Sequence, residues 1–156
     1  MIGKEKCEAL LCFHAFTGAY WGGKFPSICK KSWNKTFLSL EKSDEIVSVL
    51  ASLGNQYQKP SDNICCLLER FVSMTYALKS AETSLKGLRW ELFRLKSKEG
   101  EKLPHTRSSF LPHLWRRINM AHMWNLSKHL QMELPSPVSY GWDKKYVLDP
   151  VMSLQS

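Results

Sequence analysis

Apolar residues return every three or four positions through most of this chain, and that spacing restricts what it can fold into. Ile64, Leu67, Leu68, Phe71 and Met74 would fall on one face of a helix over about 62–77. Leu85, Leu88, Leu92 and Leu95 would form a second stripe over about 82–96, weakened by Gly87. A period near 3.6 is helical, whereas a half-buried strand alternates with period two. No segment alternates convincingly and no internal repeat is visible. The chain therefore reads as all-α, with five or six helices in an irregular bundle.

Punctuation residues divide the rest. A short apolar helix over 5–16 runs into the glycine-rich Thr17–Gly23 turn. A second helix over 27–40 places Ile28, Trp33, Phe37 and Leu40 on one face. A third over 43–53 is capped by Ser43 and stopped by Gly54. Asp62 is the expected cap of the fourth and Thr106 of the last, over 106–131. Pro112 removes a backbone donor inside that last helix, unless the helix begins nearer Ser109. Beyond Leu134, two prolines and then Gly141-Trp142 and Asp149-Pro150 describe a Pro-containing extended tail, 133–156. Trp142 and Tyr146 are its expected anchors.

The 156 residues and 44% apolar content suffice for one domain with a real core. Twenty-two Lys and Arg oppose 14 Asp and Glu, a net charge of +8 that favours anionic partners. Five cysteines, an odd number with no CxxC pair, point away from a disulfide framework and a self-contained zinc site. They point to a reducing compartment, so the expected location is intracellular, nucleus or cytoplasm, and not secreted. No apolar run approaches the roughly 18 residues of a membrane span, and no membrane partner is expected.

No complete catalytic or metal-binding set emerges. His122 and His129 share a helix face but stand about 10 Å apart, and His113 lies on roughly the opposite face. Zinc ligands must converge on one ion about 2 Å away. Cys12 and His14 point to different sides of a helix, and both are expected to be buried. Asp44 and Glu45 suit a helix start. The expectation is no catalytic residue, no metal and no cofactor.

Positive charge supplies the remaining signal. Lys24, Lys30, Lys31 and Lys35 occur with no acidic residue in 21–40. From Lys79 to Arg117 there are ten Lys or Arg against four Glu. Arg116 and Arg117 would face outward if Leu114 and Ile118 face in. Lys30, Lys31, Lys35, Arg116 and Arg117 are the candidate nucleic-acid contacts, because cations clamp phosphates. Trp21, Trp33 and Trp115 are the candidates for a protein-binding patch.

An ordered series of segments runs along the chain: Cys12-Phe13-His14-Ala15-Phe16-Thr17-Gly18, Lys30-Lys31-Ser32-Trp33, Leu68-Glu69-Arg70-Phe71-Val72 with Tyr76, Leu88-Arg89-Trp90-Glu91-Leu92-Phe93, Leu103-Pro104-His105-Thr106, and Leu134-Pro135-Ser136-Pro137 with Gly141-Trp142. The series resembles a family of largely uncharacterised animal proteins with transposon-like spread. That family's first segment usually reads His-Ala-x-Thr-Gly-Cys-Asp, followed by Phe-x-Gly-Lys-Gly-Lys-Lys. The pattern is similar to the acidic residue and helix-hairpin of PIN-like and flap-endonuclease-like nucleases. The resemblance implies a carboxylate for a metal ion and a glycine hairpin for the DNA backbone.

This chain departs from the pattern at the decisive places. Ala19-Tyr20 replaces Cys-Asp, Ser27 and Cys29 stand at the hairpin glycines, and Ile28 stands at the lysine between them; Lys30 and Lys31 remain. The resemblance then implies a degenerate helix-hairpin region over 1–55 and a helical bundle over 62–132, within one helical domain fragment, 1–132. The family's catalytic half would precede residue 1 and its cysteine-rich tail would follow residue 156. The expected function is that of a truncated, catalytically incompetent remnant with weak, non-specific nucleic-acid binding. The alternative is an interaction module with an exposed aromatic patch.

Overall fold

A computed structural model describes residues 3–18, 24–55, 59–77, 80–95, 100–127 and 136–140. Six α-helices run through them: α1 (Lys4–Gly18), α2 (Lys30–Ser39), α3 (Glu45–Ser52), α4 (Asp62–Tyr76), α5 (Leu85–Arg94) and α6 (Arg107–Leu126). Short 3-10 turns lie at Gly100–Lys102 and Pro137–Tyr140, and no strand occurs among the described residues. The fold is all-α.

Helix ends follow local chemistry. The Asp44 carboxylate accepts from Ile46 N–H, so the cap of α3 is one residue past the serine expected from the sequence. Ser61, not Asp62, caps α4 by accepting from Ile64 N–H. Asp62 becomes the first helical residue, where its charge still suits the positive end of the dipole. Thr106 caps α6 as expected, accepting from Ser109 N–H. The helix passes straight through Pro112, whose ring nitrogen donates nothing to the Ser108 carbonyl four residues back.

α1 packs on α3 and α6, α4 bridges α2, α3 and α5, and the Pro137–Tyr140 turn lies against α6. That turn is helical where an extended tail was expected; Trp142, Tyr146 and the rest of the tail lie outside the described residues. Residues from both sides of the 55–62 connector share one core. Its centre is aromatic. Phe13 of α1 stacks on Phe37 of α2 with ring centroids 4.4 Å apart. Trp33 meets Phe25 at 5.0 Å, Phe71 at 5.2 Å and Phe16 at 5.9 Å. Pairs of this kind contribute about 0.5–1.5 kcal/mol each beyond simple burial.

Three polar devices tie the helices together. The buried Lys6 ammonium of α1 donates to the carbonyls of Leu38 (2.9 Å) and Leu40 (2.5 Å), neutralising the open C-terminal end of α2. Glu69 of α4 accepts from Leu85 N–H at the start of α5 (3.3 Å) and from Arg107 of α6 (2.8 Å). Gly54, just after α3, adopts φ +84° and lies directly against the α6 backbone at Ala121 and His122.

Candidate nucleic-acid interface

The basic end of α2 is reached through a tight turn. Phe25, Pro26, Ser27 and Ile28 form the turn that leads into it, with Ile28 N–H directed at the Phe25 carbonyl (3.5 Å). Pro26 takes the second position, which suits its fixed φ. Ser27 takes the third with φ 58°, in the left-handed region where glycine is favoured. Its hydroxyl donates to the Lys102 carbonyl at 3.2 Å, and Tyr76 Oη–H donates to the Pro26 carbonyl at 2.5 Å. The turn is thus held from two sides.

Cys29 follows as the N-cap of α2. It is exposed, with Sγ 3.3 Å from the Ser32 hydroxyl. Hydrogen bonds from the Ser32 hydroxyl and N–H pull its thiol below the usual range. By contrast, burial pushes the Cys12 thiol up to about 11, although the Asn125 side chain works against the shift; Cys12 donates to the Leu53 carbonyl at 2.7 Å.

The five candidate contacts separate here. Lys31 and Lys35 are exposed and one turn apart on α2, so both project from the same face. Lys30 is exposed as well, but its side chain bends back. Its ammonium donates to Thr17 Oγ1 at 2.6 Å and lies 5.5 Å from the Phe13 ring centroid. Desolvation, then the charge of Arg117, lowers its pKa.

Arg117 does not face outward: it is 0% exposed and among the largest fully buried side chains. Its Nε–H donates to His113 Nε2 at 3.3 Å, and burial followed by Arg116 lowers its pKa to about 10. Outward placement fails because α6 is buried on several sides, at His113, Leu114, Arg117, Ile118 and Asn119. Arg116 is half-buried. No phosphate can reach the Arg117 guanidinium without opening the core.

The histidines beside it are held neutral. His113 lies 4.7 Å from the Phe25 ring and 5.1 Å from the His105 ring. Desolvation, then Arg117, His105 and Arg116, pushes its pKa down to about 3. Desolvation, then Arg116 and Arg89, lowers that of His105. Accepting from Arg117 requires a free lone pair on His113 Nε2, which only the neutral ring offers. His14 is exposed, not buried, and stacks on Trp124 with centroids 5.7 Å apart.

The aromatic patch read from the sequence also changes. Trp33 is 1% exposed and belongs to the core, so it presents nothing to a partner. Trp115 is half-buried, with the Lys59 ammonium 4.1 Å above its ring. Trp21, like Ala19 and Tyr20, lies outside the described residues. Among the described residues the exposed large aromatics are Trp90 and Phe93 of α5. Their signal was available: Trp90 lies opposite the buried stripe of Leu85, Leu88 and Leu92, and Phe93 flanks it.

Among the described residues no group of three His, Cys, Asp or Glu side chains is placed to hold a metal ion. None of the described helices is long and apolar enough to cross a membrane. No family model, no curated protein and no solved structure matches the chain.

Proposed function

We propose that this protein is a non-catalytic, non-specific nucleic-acid-binding protein whose phosphate contacts centre on Lys31 and Lys35. The observation that carries this reading is their joint exposure on one face of α2, within a stretch of 20 residues that contains no acidic side chain. Two ammonium groups a helical turn apart suit neighbouring phosphates, and without a local carboxylate little opposes that attraction. Arg117 leaves the proposed contact set because it is buried, Lys30 is exposed but its ammonium is engaged by Thr17, and Arg116 stays at the margin.

Descent from a nuclease-like, mobile-element-derived protein is part of the same proposal. Ser27 supports it: the turn keeps a left-handed conformation at the position where the resembling family has glycine. The backbone shape of a hairpin is kept while the side chain no longer allows a phosphate its closest approach.

The test is a titration of a 12-base-pair DNA duplex at two salt concentrations. Affinity should fall with salt by a log–log slope of about −0.9 for each phosphate neutralised. The Lys31→Gln/Lys35→Gln double variant should make that slope shallower by roughly two. Affinity that does not fall as salt rises would refute the reading. A second reading, an interaction module, finds support in exposed Leu10, Leu11 and Leu38 instead of the tryptophans named from the sequence. Purification as a monomer that binds no hydrophobe-sensing dye would count against it.

A further inference from the structure

α5 presents a face that neither the core nor the α2 lysines account for. Trp90 is 65% exposed and Phe93 55%, with ring centroids 6.5 Å apart and planes inclined by 33°. A tryptophan left this open forgoes most of the roughly 1.5–3 kcal/mol that burying a large apolar side chain returns. Leu85, Leu88 and Leu92 take the core-facing side of the helix, so this ring stays in water. Intervals of four place Lys86, Trp90 and Arg94 in one outward row, and Arg89 and Phe93 in the next.

Lys86 and Arg94 are exposed, so each end of the Trp90 row carries a cation. Arg89 is half-buried and anchored, its guanidinium donating to the Pro104 carbonyl. Two acidic residues share this neighbourhood, since Glu82 and Glu91 line one pocket with Trp90 and Arg94. Glu91 accepts from the Ser80 hydroxyl, and the Glu82 carboxylate lies over Gly87. The helix itself carries Lys86, Arg89 and Arg94 against Glu91.

We infer that the α5 face is a stacking platform for single-stranded nucleic acid, with Trp90 and Phe93 receiving bases and Lys86 and Arg94 the flanking phosphates. Charge complementarity selects this occupant. The core of a protein–protein interface is depleted of charge, whereas here the exposed rings are interleaved with cations. Binding of single strands combines the same two elements, aromatic faces for bases and a basic track for the backbone. In a duplex the base faces are stacked on one another and unavailable to Trp90. The platform therefore discriminates between strand forms, which Lys31 and Lys35 cannot do. This inference rests on the proposal that the chain binds nucleic acid at all.

The test uses the full chain with a labelled 12-nucleotide oligothymidylate, the 12-base-pair duplex and vesicles containing phosphatidylserine. Stacking contributes about 1–3 kcal/mol per base, so Trp90→Ala and Phe93→Ala should each weaken oligothymidylate binding by roughly 5- to 150-fold. Duplex binding should change less than about twofold, and Trp90→Phe should retain most of the single-strand affinity. Circular dichroism of each variant should match the parent, because these rings are not in the core. Equal affinity of parent and Trp90→Ala for oligothymidylate overturns the platform while leaving the α2 reading intact. So does an equal loss on duplex, or a loss confined to vesicles, which would make the face a membrane contact. Failure of the parent to bind either nucleic acid overturns both.

Discussion

Replacing Gly54 with alanine tests how α3 and α6 are joined. Gly54 holds φ +84°, and its carbonyl accepts from His122 Nδ1–H. A Cβ at this position would sit 2.8 Å from Ala121 Cβ and 2.8 Å from the His122 backbone nitrogen. Three effects compete. Left-handed backbone costs an L-residue roughly 1–2 kcal/mol. Forcing a methyl group against packed neighbours costs about 1–3 kcal/mol, and more toward the upper end here because one neighbour is helix backbone, which cannot rotate away. Alanine also restricts the unfolded chain, which returns about 0.4–1 kcal/mol. The strain and the clash win. Gly54→Ala should destabilise the fold by about 2–4 kcal/mol.

Urea unfolding followed by circular dichroism measures the loss as a lower midpoint at unchanged slope. In a chain of this size each kcal/mol shifts the melting temperature by roughly 2–4 °C, so the fall should be roughly 5–15 °C. Adding Ala121→Gly removes the side-chain half of the clash and should restore only part of the stability, since the His122 nitrogen remains. A Gly54→Ala protein within about 0.5 kcal/mol of the parent would show that α3 does not meet α6 through this residue.

Two further outcomes follow from perturbed groups. An unfolded His titrates near 6.5 while His113 in the fold titrates near 3, so between those values the unfolded chain holds a proton the folded one lacks. The stability from neutral His113 is complete above about pH 6.5 and is lost as pH falls toward 3, at up to roughly 1.4 kcal/mol per unit. His113→Gln keeps an acceptor for Arg117, and urea midpoints at pH 7, 5.5 and 4.5 should fall less steeply for it; parallel lines would remove His113 as the source. In alkylation by iodoacetamide at pH 7, Cys29 should be labelled ahead of the also exposed Cys7 and Cys66, with buried Cys12 and Cys65 last. Peptide mass mapping that finds Cys12 modified first would contradict the thiol environments described.

Spacing made the helices legible because most of them bury a single stripe. α4 is the clear case: of the expected face Leu68 and Phe71 are buried and Ile64, Leu67 and Met74 pack partly buried against the core, with a serine cap one residue from the expected one. Gly54 as a stop and Thr106 as a cap follow from backbone chemistry that local sequence controls. α6 was not legible in this way. Its buried positions include His113, Arg117, Asn119 and His122, so residue type no longer reports direction. A rule that sends charge outward fails where tertiary packing surrounds a helix. Leu95 fails for another reason: α5 ends at Arg94, so the last leucine of the stripe leaves the helical path and is exposed. The left-handed turn at Ser27 has no propensity signal in the serine itself, and the spacing places residues 27 and 28 inside a helix that begins only at Lys30.

The net charge of +8 overstates what a ligand would meet. Lys6 caps α2, Lys30 bonds Thr17, Arg89 bonds the Pro104 carbonyl and Arg117 lies inside the core. Arg70 faces Asp44 at 3.4 Å, and Arg107 divides its guanidinium between Glu69 and Asp62. Lys6 and Arg117 cannot bind phosphate without giving up buried bonds that hold helices together, and such bonds to charged groups are each worth about 1.5–3 kcal/mol, whereas the part-exposed contacts of Lys30, Arg70, Arg89 and Arg107 are each worth about 0–1 kcal/mol. A phosphate contact on the surface, screened by salt and water, does not repay that loss. The measured salt slope should therefore count exposed cations such as Lys31, Lys35, Lys86 and Arg94 and stay well below the value that the net charge would suggest. A slope as steep as the net charge would mean that buried Lys6 and Arg117 had been released, and the helical signal would then fall as nucleic acid bound.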